Sequence, residues 1–440
     1  MNLQLKNDRE KAVTIQSLSH DGRGITQVAN KTTFVSGALP EEVVTCNITL
    51  KRSQYNEADI TKIITPSPLR VTPPCQHFGI CGGCNLQHMN DDSQIQLKQN
   101  TLLEQLKHFG KVIPENILAP LHAMSKGYRR KARLGVKYVI KKNKLLIGFR
   151  EKSSRYLADI EHCVVLHPAI GERLPQLSQL IASLEIYQAI PQIEIAIGDT
   201  DIALVIRHMQ PMSANDHEKL IQFAEQYQFQ IYLQPNSPAP IEKLWPQNSA
   251  HRLTYTLPDQ QLEFLFHPLD FTQVNLEMNR LMVNQALFLL QLQPEDYMLD
   301  LFCGIGNFTL PIAKYVKQVI GIEGSEEMVM RATDNASHNH IKNAAFYAAN
   351  LMQPPSDADW MTSRFDKILL DPPRAGAKEI LPFIAASGAK KIVYVSCNPA
   401  TLARDAGELV NLYGYTLKQV GIMNMFPHTA HIEAMAVFEK

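Results

Sequence analysis

The sequence predicts a multi-domain fold: an N-terminal OB-like β-barrel, a central α/β domain, and a C-terminal Rossmann-like α/β domain built on an open parallel sheet. Three observations predict it. At 440 residues the chain is longer than a single hydrophobic core usually supports. Residues 1–65 alternate short apolar runs with turn signals, the texture of a small barrel. From residue 263 onward, apolar strand-like runs alternate with helical stretches, which argues for parallel strands with helices on both faces.

Composition narrows the class. With 45% hydrophobic and 20% charged residues the chain reads as an ordinary globular protein, not a disordered or fibrous one. The start, MNLQLKNDREKAVTIQ, is too charged for a signal peptide. No apolar run approaches the roughly 18 residues that a membrane span needs. No membrane partner is expected, and the cytoplasm is the default location. The 43 Lys and Arg balance 43 Asp and Glu, so net charge does not announce a polyanion. Local charge does: residues 126–155 hold twelve Lys or Arg against one acid, Glu151, with Tyr128, Tyr138, Phe149 and Tyr156 in or beside the stretch. That density predicts a phosphate-contacting face.

In the first domain, AVTIQSL, TTFVSGAL, EEVVTCNITLKR and ADITKII read as strands, separated by turns such as HDGRGI. Cys46, in one of these runs, is expected in the core. The linker TPSPLRVTPPCQHFGICGGCNLQH follows, with prolines that keep it extended and glycines that let it fold tightly. It carries Cys75, Cys81 and Cys84 in a C-x5-C-x2-C pattern. Three thiols in a loop too polar to bury them as core are most economically metal ligands. Four thiolates are the usual complement for zinc or an iron-sulfur cluster, and Cys163, in DIEHCVVLHP, is the candidate fourth. The missing second C-x2-4-C knuckle favours an iron-sulfur cluster, while His77, His88 and His162 keep zinc open.

Residues 93–118 place Leu97, Leu102, Leu103 and Leu106 at helical spacing, ending near Gly110. Strand-like and helical runs then alternate through residue 260 and carry the basic face.

The C-terminal region holds the chemistry. In DLFCGIGNF, Gly304 and Gly306 let the main chain turn sharply, and Glu323 ends the next strand, where an acid can accept both ribose hydroxyls. Thr309 replaces the third glycine that a pyrophosphate would want, and Asp300 precedes the turn. These features suit S-adenosylmethionine better than NAD. Cys303, within the turn, is expected to be structural. Asp371 begins DPPR, whose prolines stiffen the loop; amino-group methyltransferases carry an aromatic residue where Arg374 stands. In KIVYVSCNPATLARD a strand stops at Cys397. If the acceptor is a pyrimidine C5, that carbon becomes nucleophilic only after a group adds to C6, and a thiolate is the best such group. A base must then remove the C5 proton, and Glu433, flanked by Ile432, Ala434, Met435 and Ala436, is the plausible one.

The motifs DLFCGIGNFTLPIA, DPPRAG, VSCNPATLARD and MFPHTAHIEAM, with FTQVN at 271–275, resemble the RNA 5-methyluridine methyltransferases that use S-adenosylmethionine. DGRGI and GALPEEVV resemble a TRAM domain, an OB-like RNA-binding barrel. TRAM barrel, cysteine loop and catalytic region together resemble the branch of that family acting on 23S ribosomal RNA. The transfer-RNA branch lacks both barrel and cysteine loop, and another ribosomal branch lacks the barrel.

The resemblance implies that Cys397 is the nucleophile and Glu433 the base. It also implies that Gln273, Phe302, Asn307, Glu323, Asn350 and Asp371 contact the methyl donor, and that Cys75, Cys81, Cys84 and Cys163 bind [4Fe-4S]. The expected domains are then 1–65 for the barrel, 66–92 with 120–262 for the iron-sulfur and RNA-binding domain, and 93–119 with 263–440 for the methyltransferase domain. The expected partner is 23S RNA in a looped or single-stranded segment, with no obligatory protein partner. Relatives that act on transfer RNA or on two ribosomal sites keep the target uridine open. A radical S-adenosylmethionine enzyme would instead show C-x3-C-x2-C, and a non-catalytic RNA-binding or redox-sensing protein would not need Cys397 with Glu433.

Overall fold

A computed structural model describes residues 12–236, 240–248, 250–355 and 358–440. The first eleven residues of the expected barrel domain lie outside the described residues. The chain forms two compact units. One comprises the residues up to Thr101 with Arg150–Ala158 and Phe426–His431; the other comprises Leu102–Phe149, Asp159–Met425 and Ile432–Lys440. Among the described residues no helix is long and apolar enough to cross a membrane.

The first unit contains a six-stranded sheet that curls on itself. Val13–Thr14 pairs with Val43–Lys51 at one end of the strand order, while Ser17–Leu18 pairs with Gly24–Val28 at the other. Only Ile15 and Gln16 separate these two edge segments, so the sheet's ends are drawn together. Alternation sends Ile15, Val35, Ala38, Val44 and Ala58 inward as the core, with Cys46 packed against it. Burial pushes the Cys46 thiol up, as befits core filler. Glu42 is buried and satisfied: Leu39 N–H donates to it at 2.8 Å, and Arg70 clasps it through its guanidinium.

The second unit holds two large sheets. The smaller runs, in strand order, Glu242–Trp245, Gln230–Pro235, Ile202–His208, Gln192–Ile197, Lys131–Val139 and Lys144–Gly148. It is antiparallel except between Ile202–His208 and Gln230–Pro235. Helices Leu174–Ser183 and Ala214–Tyr227 carry apolar stripes, Leu174, Leu177 and Ile181 on one and Leu220, Phe223 and Ala224 on the other, all buried.

The larger sheet has seven long strands, β1 (Tyr297–Leu301), β2 (Gln318–Glu323), β3 (Ala344–Ala348), β4 (Lys367–Leu370), β5 (Lys391–Ser396), β6 (Thr416–Met423) and β7 (Glu433–Glu439), and a two-residue edge strand, Asn116–Ile117. Their spatial order is β3-β2-β1-β4-β5-β7-β6 and then the edge strand. The first five are parallel, and β7 inserts antiparallel between β5 and β6. β5 is buried at all six positions, as a strand covered by helices on both faces must be. The chain leaves β1 toward β2 and later returns to β4 on the other side, so the order reverses between β1 and β4. Open α/β sheets bind ligands at such a reversal, beside the carboxyl ends of the strands.

Three helices connect this sheet at the places that matter for the site: α1 (Thr309–Ala313), α2 (Glu326–His338) and α3 (Pro399–Asn411). The segment Leu106–Gly110 packs on α3, where the Asn411 side chain donates to the Gly110 carbonyl. Gly407 makes the approach possible, since a Cβ there would stand 2.7 Å from the Gly110 oxygen.

Candidate active site

The carboxyl ends of β1, β2, β4 and β5 bring most of the expected residues to one edge of the sheet. β1 runs into Phe302, whose φ of 65° is a left-handed conformation that a bulky residue seldom adopts outside a constrained site. Gly304 and Gly306 follow at φ 56° and 90°. A Cβ at Gly304 would meet no heavy atom within 4 Å, so the turn opens onto free space. Glu323, at the end of β2, closes the turn: it accepts from Gly304 N–H (3.1 Å) through one oxygen and from Ser325 N–H (3.1 Å) through the other. Cys303 is buried under Gly321, and burial, seconded by Asp300 and Glu323, holds its thiol well above the ordinary range. Its role is structural.

Asn307 is committed to scaffolding. Its side-chain oxygen accepts from Tyr255 O–H (2.9 Å) and from the Asn279 amide (3.0 Å), and its own amide donates back to Asn279 (2.9 Å). This reciprocal pair ties the turn to helix Leu276–Leu290, which Asn275 caps just after Gln273. Upstream of Gln273, the buried Lys131 ammonium donates to the Pro268 and Asp270 carbonyls, and Arg331 on α2 pairs with the Asp270 carboxylate at 2.8 Å. The FTQVN segment is thus held from several directions. Tyr255 and Asn279 were not legible as site residues; a buried asparagine in the apolar run LEMNRLMVNQALFLL was the available signal for the second.

Asp300 ends up wholly buried on β1. Burial pushes its carboxyl up to about 8; the neighbouring Asp371 and Glu323 charges push the same way, against a hydrogen bond from Thr309. That bond explains threonine where a dinucleotide site has its third glycine. The other Asp300 oxygen is buried without a hydrogen-bond partner. An open glycine turn, an acid at the end of β2 and a buried carboxyl oxygen without a partner fit an adenosyl ligand with N–H donors, such as S-adenosylmethionine.

Cys397 and Glu433 meet through the sheet register. β5 and β7 pair antiparallel from Lys391↔Glu439 to Ser396↔Ala434. Cys397 follows β5 and Glu433 opens β7 beside that last pair, near enough for the Glu433 charge to act on the thiol. Both are half-buried. Burial, then the charges of Glu433 and Asp371, push the Cys397 thiol up to about 11, while Arg374 pulls it down. Asp371 follows β4, beside β5, and burial pushes its carboxyl up to about 7. Asn398 caps α3 by accepting from Ala400 N–H, so the helix N-terminus begins immediately after the thiol and favours its anion. Arg374, which departs from the amino-methyltransferase pattern, is thereby part of the thiol's electrostatic surroundings.

Asn350, exposed after β3, accepts from Met352 N–H (3.0 Å), and neighbouring Ala349 N–H donates to the Glu323 carbonyl (2.9 Å). The basic stretch divides its labour. Lys131, its ammonium lowered to about 8 by burial, and Arg130, which donates to the Gly198 carbonyl, serve the interior. Lys137, Lys141, Lys142 and Lys144 stand exposed on the hairpin made by Lys131–Val139 and Lys144–Gly148.

The cysteine loop lies in the first unit and Cys163 in the second. Cys75, Cys81 and Cys84 are half-buried in successive turns; Gly83 N–H donates to Cys81 Sγ at 3.4 Å, and Gly82 N–H donates to the Arg150 carbonyl. Among the described residues no three His, Cys, Asp or Glu side chains converge as a metal-ion site requires. The donor set is soft sulfur with an N–H···S contact, which suits an iron-sulfur cluster, whose corners space the ligands wider than one tetrahedral ion does.

Comparisons with known proteins bear on the family and the fold. Residues 4–61 match the TRAM domain, and residues 90–440 match the tRNA (Uracil-5-)-methyltransferase family. The 23S rRNA (uracil(1939)-C(5))-methyltransferase RlmD of Alcanivorax borkumensis is 50% identical over 437 residues, covering 99% of this chain and 98% of the relative. Its namesake from Hahella chejuensis is 51% identical over 431 residues, 97% of this chain and 96% of the relative. In fold, the chain is similar to the Pyrococcus abyssi tRNA (uracil-54, C5)-methyltransferase solved with S-adenosyl-L-homocysteine, with a TM-score of 0.76 at 24% identity, covering 97% of this chain and 100% of that one. The chain carries an N-terminal TRAM domain and belongs to the tRNA (uracil-5-)-methyltransferase family.

Proposed function

We propose that this protein transfers a methyl group from S-adenosylmethionine to C5 of a uracil in 23S ribosomal RNA. The observation that supports the proposal is the β5–β7 register, which brings the Cys397 thiol and the Glu433 carboxylate near each other at the carboxyl edge of the sheet. The names and near-complete coverage of the relatives support the ribosomal substrate.

Gln273, Phe302, Asn307, Glu323, Asn350 and Asp371 would line the methyl-donor site, Asn307 by shaping the turn. When bound there, S-adenosylmethionine supplies an electrophilic methyl on a sulfonium sulfur. The target uracil leaves its stack to reach the sheet edge, gripped by the barrel and by the exposed lysines of the basic hairpin. Cys397 loses its proton to solvent, and the thiolate sulfur bonds to C6, moving electrons toward C5 and O4. C5 takes the methyl carbon, and the pair that held it to sulfur stays on the departing thioether. Glu433 then removes the C5 proton; that C–H pair re-forms the C5–C6 double bond as the C6–S bond breaks and the thiolate is released. Cys75, Cys81, Cys84 and Cys163 would hold a [4Fe-4S] cluster that orders the polar loop without entering these steps.

The test is covalent trapping. RNA carrying 5-fluorouridine, with the methyl donor, gives a stable protein–RNA adduct with the native chain, because fluorine blocks proton removal. Cys397→Ala gives none. An adduct in that variant would overturn the assignment.

A further inference from the structure

The loop that starts at Asp371 and the helix that starts after Cys397 are stitched together by a set of polar contacts. The centre is Asp405 on α3, whose side chain is wholly buried. One of its oxygens accepts from Ala377 N–H (2.7 Å) and from Tyr394 O–H (2.7 Å). The other accepts from the Arg404 guanidinium (2.8 Å), which also donates to the Ala375 carbonyl (2.9 Å). Two further α3 groups, the Asn398 amide (3.0 Å) and Thr401 hydroxyl (3.2 Å), donate to the Arg374 carbonyl. The fit is close: Gly376 lies at φ 84°, and a Cβ there would stand 2.5 Å from Arg404 and 2.6 Å from the Asp405 carboxylate.

A buried carboxylate is a poor way to gain stability, since apolar side chains of similar volume serve as well or better. What it provides is orientation, because each partner has one allowed place. Here the partners are Tyr394 and, directly or through Arg404, the backbone that follows Arg374, the group that opposes the burial and acidic charges raising the Cys397 thiol.

We propose that Asp405 is a positioning residue for methyl transfer: with Arg404, it locks the Asp371–Ala377 loop onto α3 so that the Arg374 guanidinium is held beside the Cys397 sulfur. The inference rests on the assignment of Cys397 as nucleophile and adds a group that never touches the RNA.

The test measures the rate of 5-fluorouridine adduct formation from pH 6 to 9 in the native chain, Asp405→Asn, Arg374→Gln and the double variant. Asparagine keeps one acceptor for Ala377 and Tyr394 but turns an amide donor toward Arg404. A reacting group displaced by about 1 Å costs on the order of 100-fold in rate, and Asp405→Asn is expected to lose roughly that much at saturating methyl donor. Its rate should also need a higher pH, as Arg374→Gln should. The double variant should be no slower than the slower single, because both changes remove the same interaction. Gly376→Ala, which pushes the loop off the clamp without changing charge, should reproduce the loss and keeps the inference testable if Asp405→Asn does not fold. Native trapping with an unshifted pH profile in Asp405→Asn and Gly376→Ala, or additive losses in the double variant, would overturn the positioning role alone. Absence of trapping by the native chain would overturn the nucleophile assignment and this inference with it.

Discussion

Asp300→Asn should change how the stability of the second unit depends on pH. Burial on β1, with the Asp371 and Glu323 charges nearby, pushes the folded carboxyl up to about 8, far above the ordinary carboxylate range. A raised folded value means the native state holds the proton more tightly than the unfolded chain. The stabilisation from Asp300 is therefore complete below the unfolded value, declines as pH rises, and is exhausted above the folded value. The decline runs at about 1.4 kcal/mol per pH unit. Asp371, raised to about 7, adds its own decline, which both proteins share and the comparison cancels. From pH 7 to 8 the native chain should lose about 1 kcal/mol, or roughly 1–2 °C in Tm, relative to Asp300→Asn, whose amide cannot ionise but still accepts from Thr309. Urea and thermal melts without methyl donor, at constant ionic strength, measure the difference. Parallel curves for the two proteins across that window would refute the buried-carboxyl argument, as would a native chain that gains stability on the variant as pH rises.

Three further outcomes follow from the site. Glu433→Gln should still form the Cys397 bond and accept the methyl group, so an unmodified uridine substrate should leave a methylated protein–RNA adduct visible by mass spectrometry; turnover at the native rate would remove Glu433 from the mechanism. Tyr255→Phe deletes the hydroxyl that donates to Asn307 and should cost roughly 1 kcal/mol in stability while weakening methyl-donor binding, both accessible by calorimetry. Anaerobically purified native protein should contain iron and acid-labile sulfide with visible absorbance, and Cys81→Ser should lose all three; full iron content in that variant would exclude Cys81 as a ligand.

Much of the fold and of the site could be read directly from the chain because the relevant signals are local. Alternating apolar residues marked the barrel strands, a glycine turn after an apolar run marked the end of β1, and Cys397 could be assigned to a strand end because KIVYVS must stop at Asn398-Pro399. Glu323, Asp371 and Cys397 shared one edge of the sheet as soon as the strands were read as parallel. The linking contacts were not legible. Nothing near Tyr255, Asn279 or Asp405 in sequence says that they hold Asn307 or the loop around Arg374, and nothing in the basic run says that Lys131 turns inward while Lys141 faces water. The nearness of Cys397 and Glu433 is of the same kind: chain order alone would put β6 beside β5, but β7 takes that place. Local propensity and periodicity decide what each segment becomes, since they depend on neighbours a few residues away. Which segments become neighbours is decided by burying apolar faces and completing hydrogen-bond ladders across the whole sheet, and only that packing turns a thiol and a carboxylate from separate strands into one reactive pair.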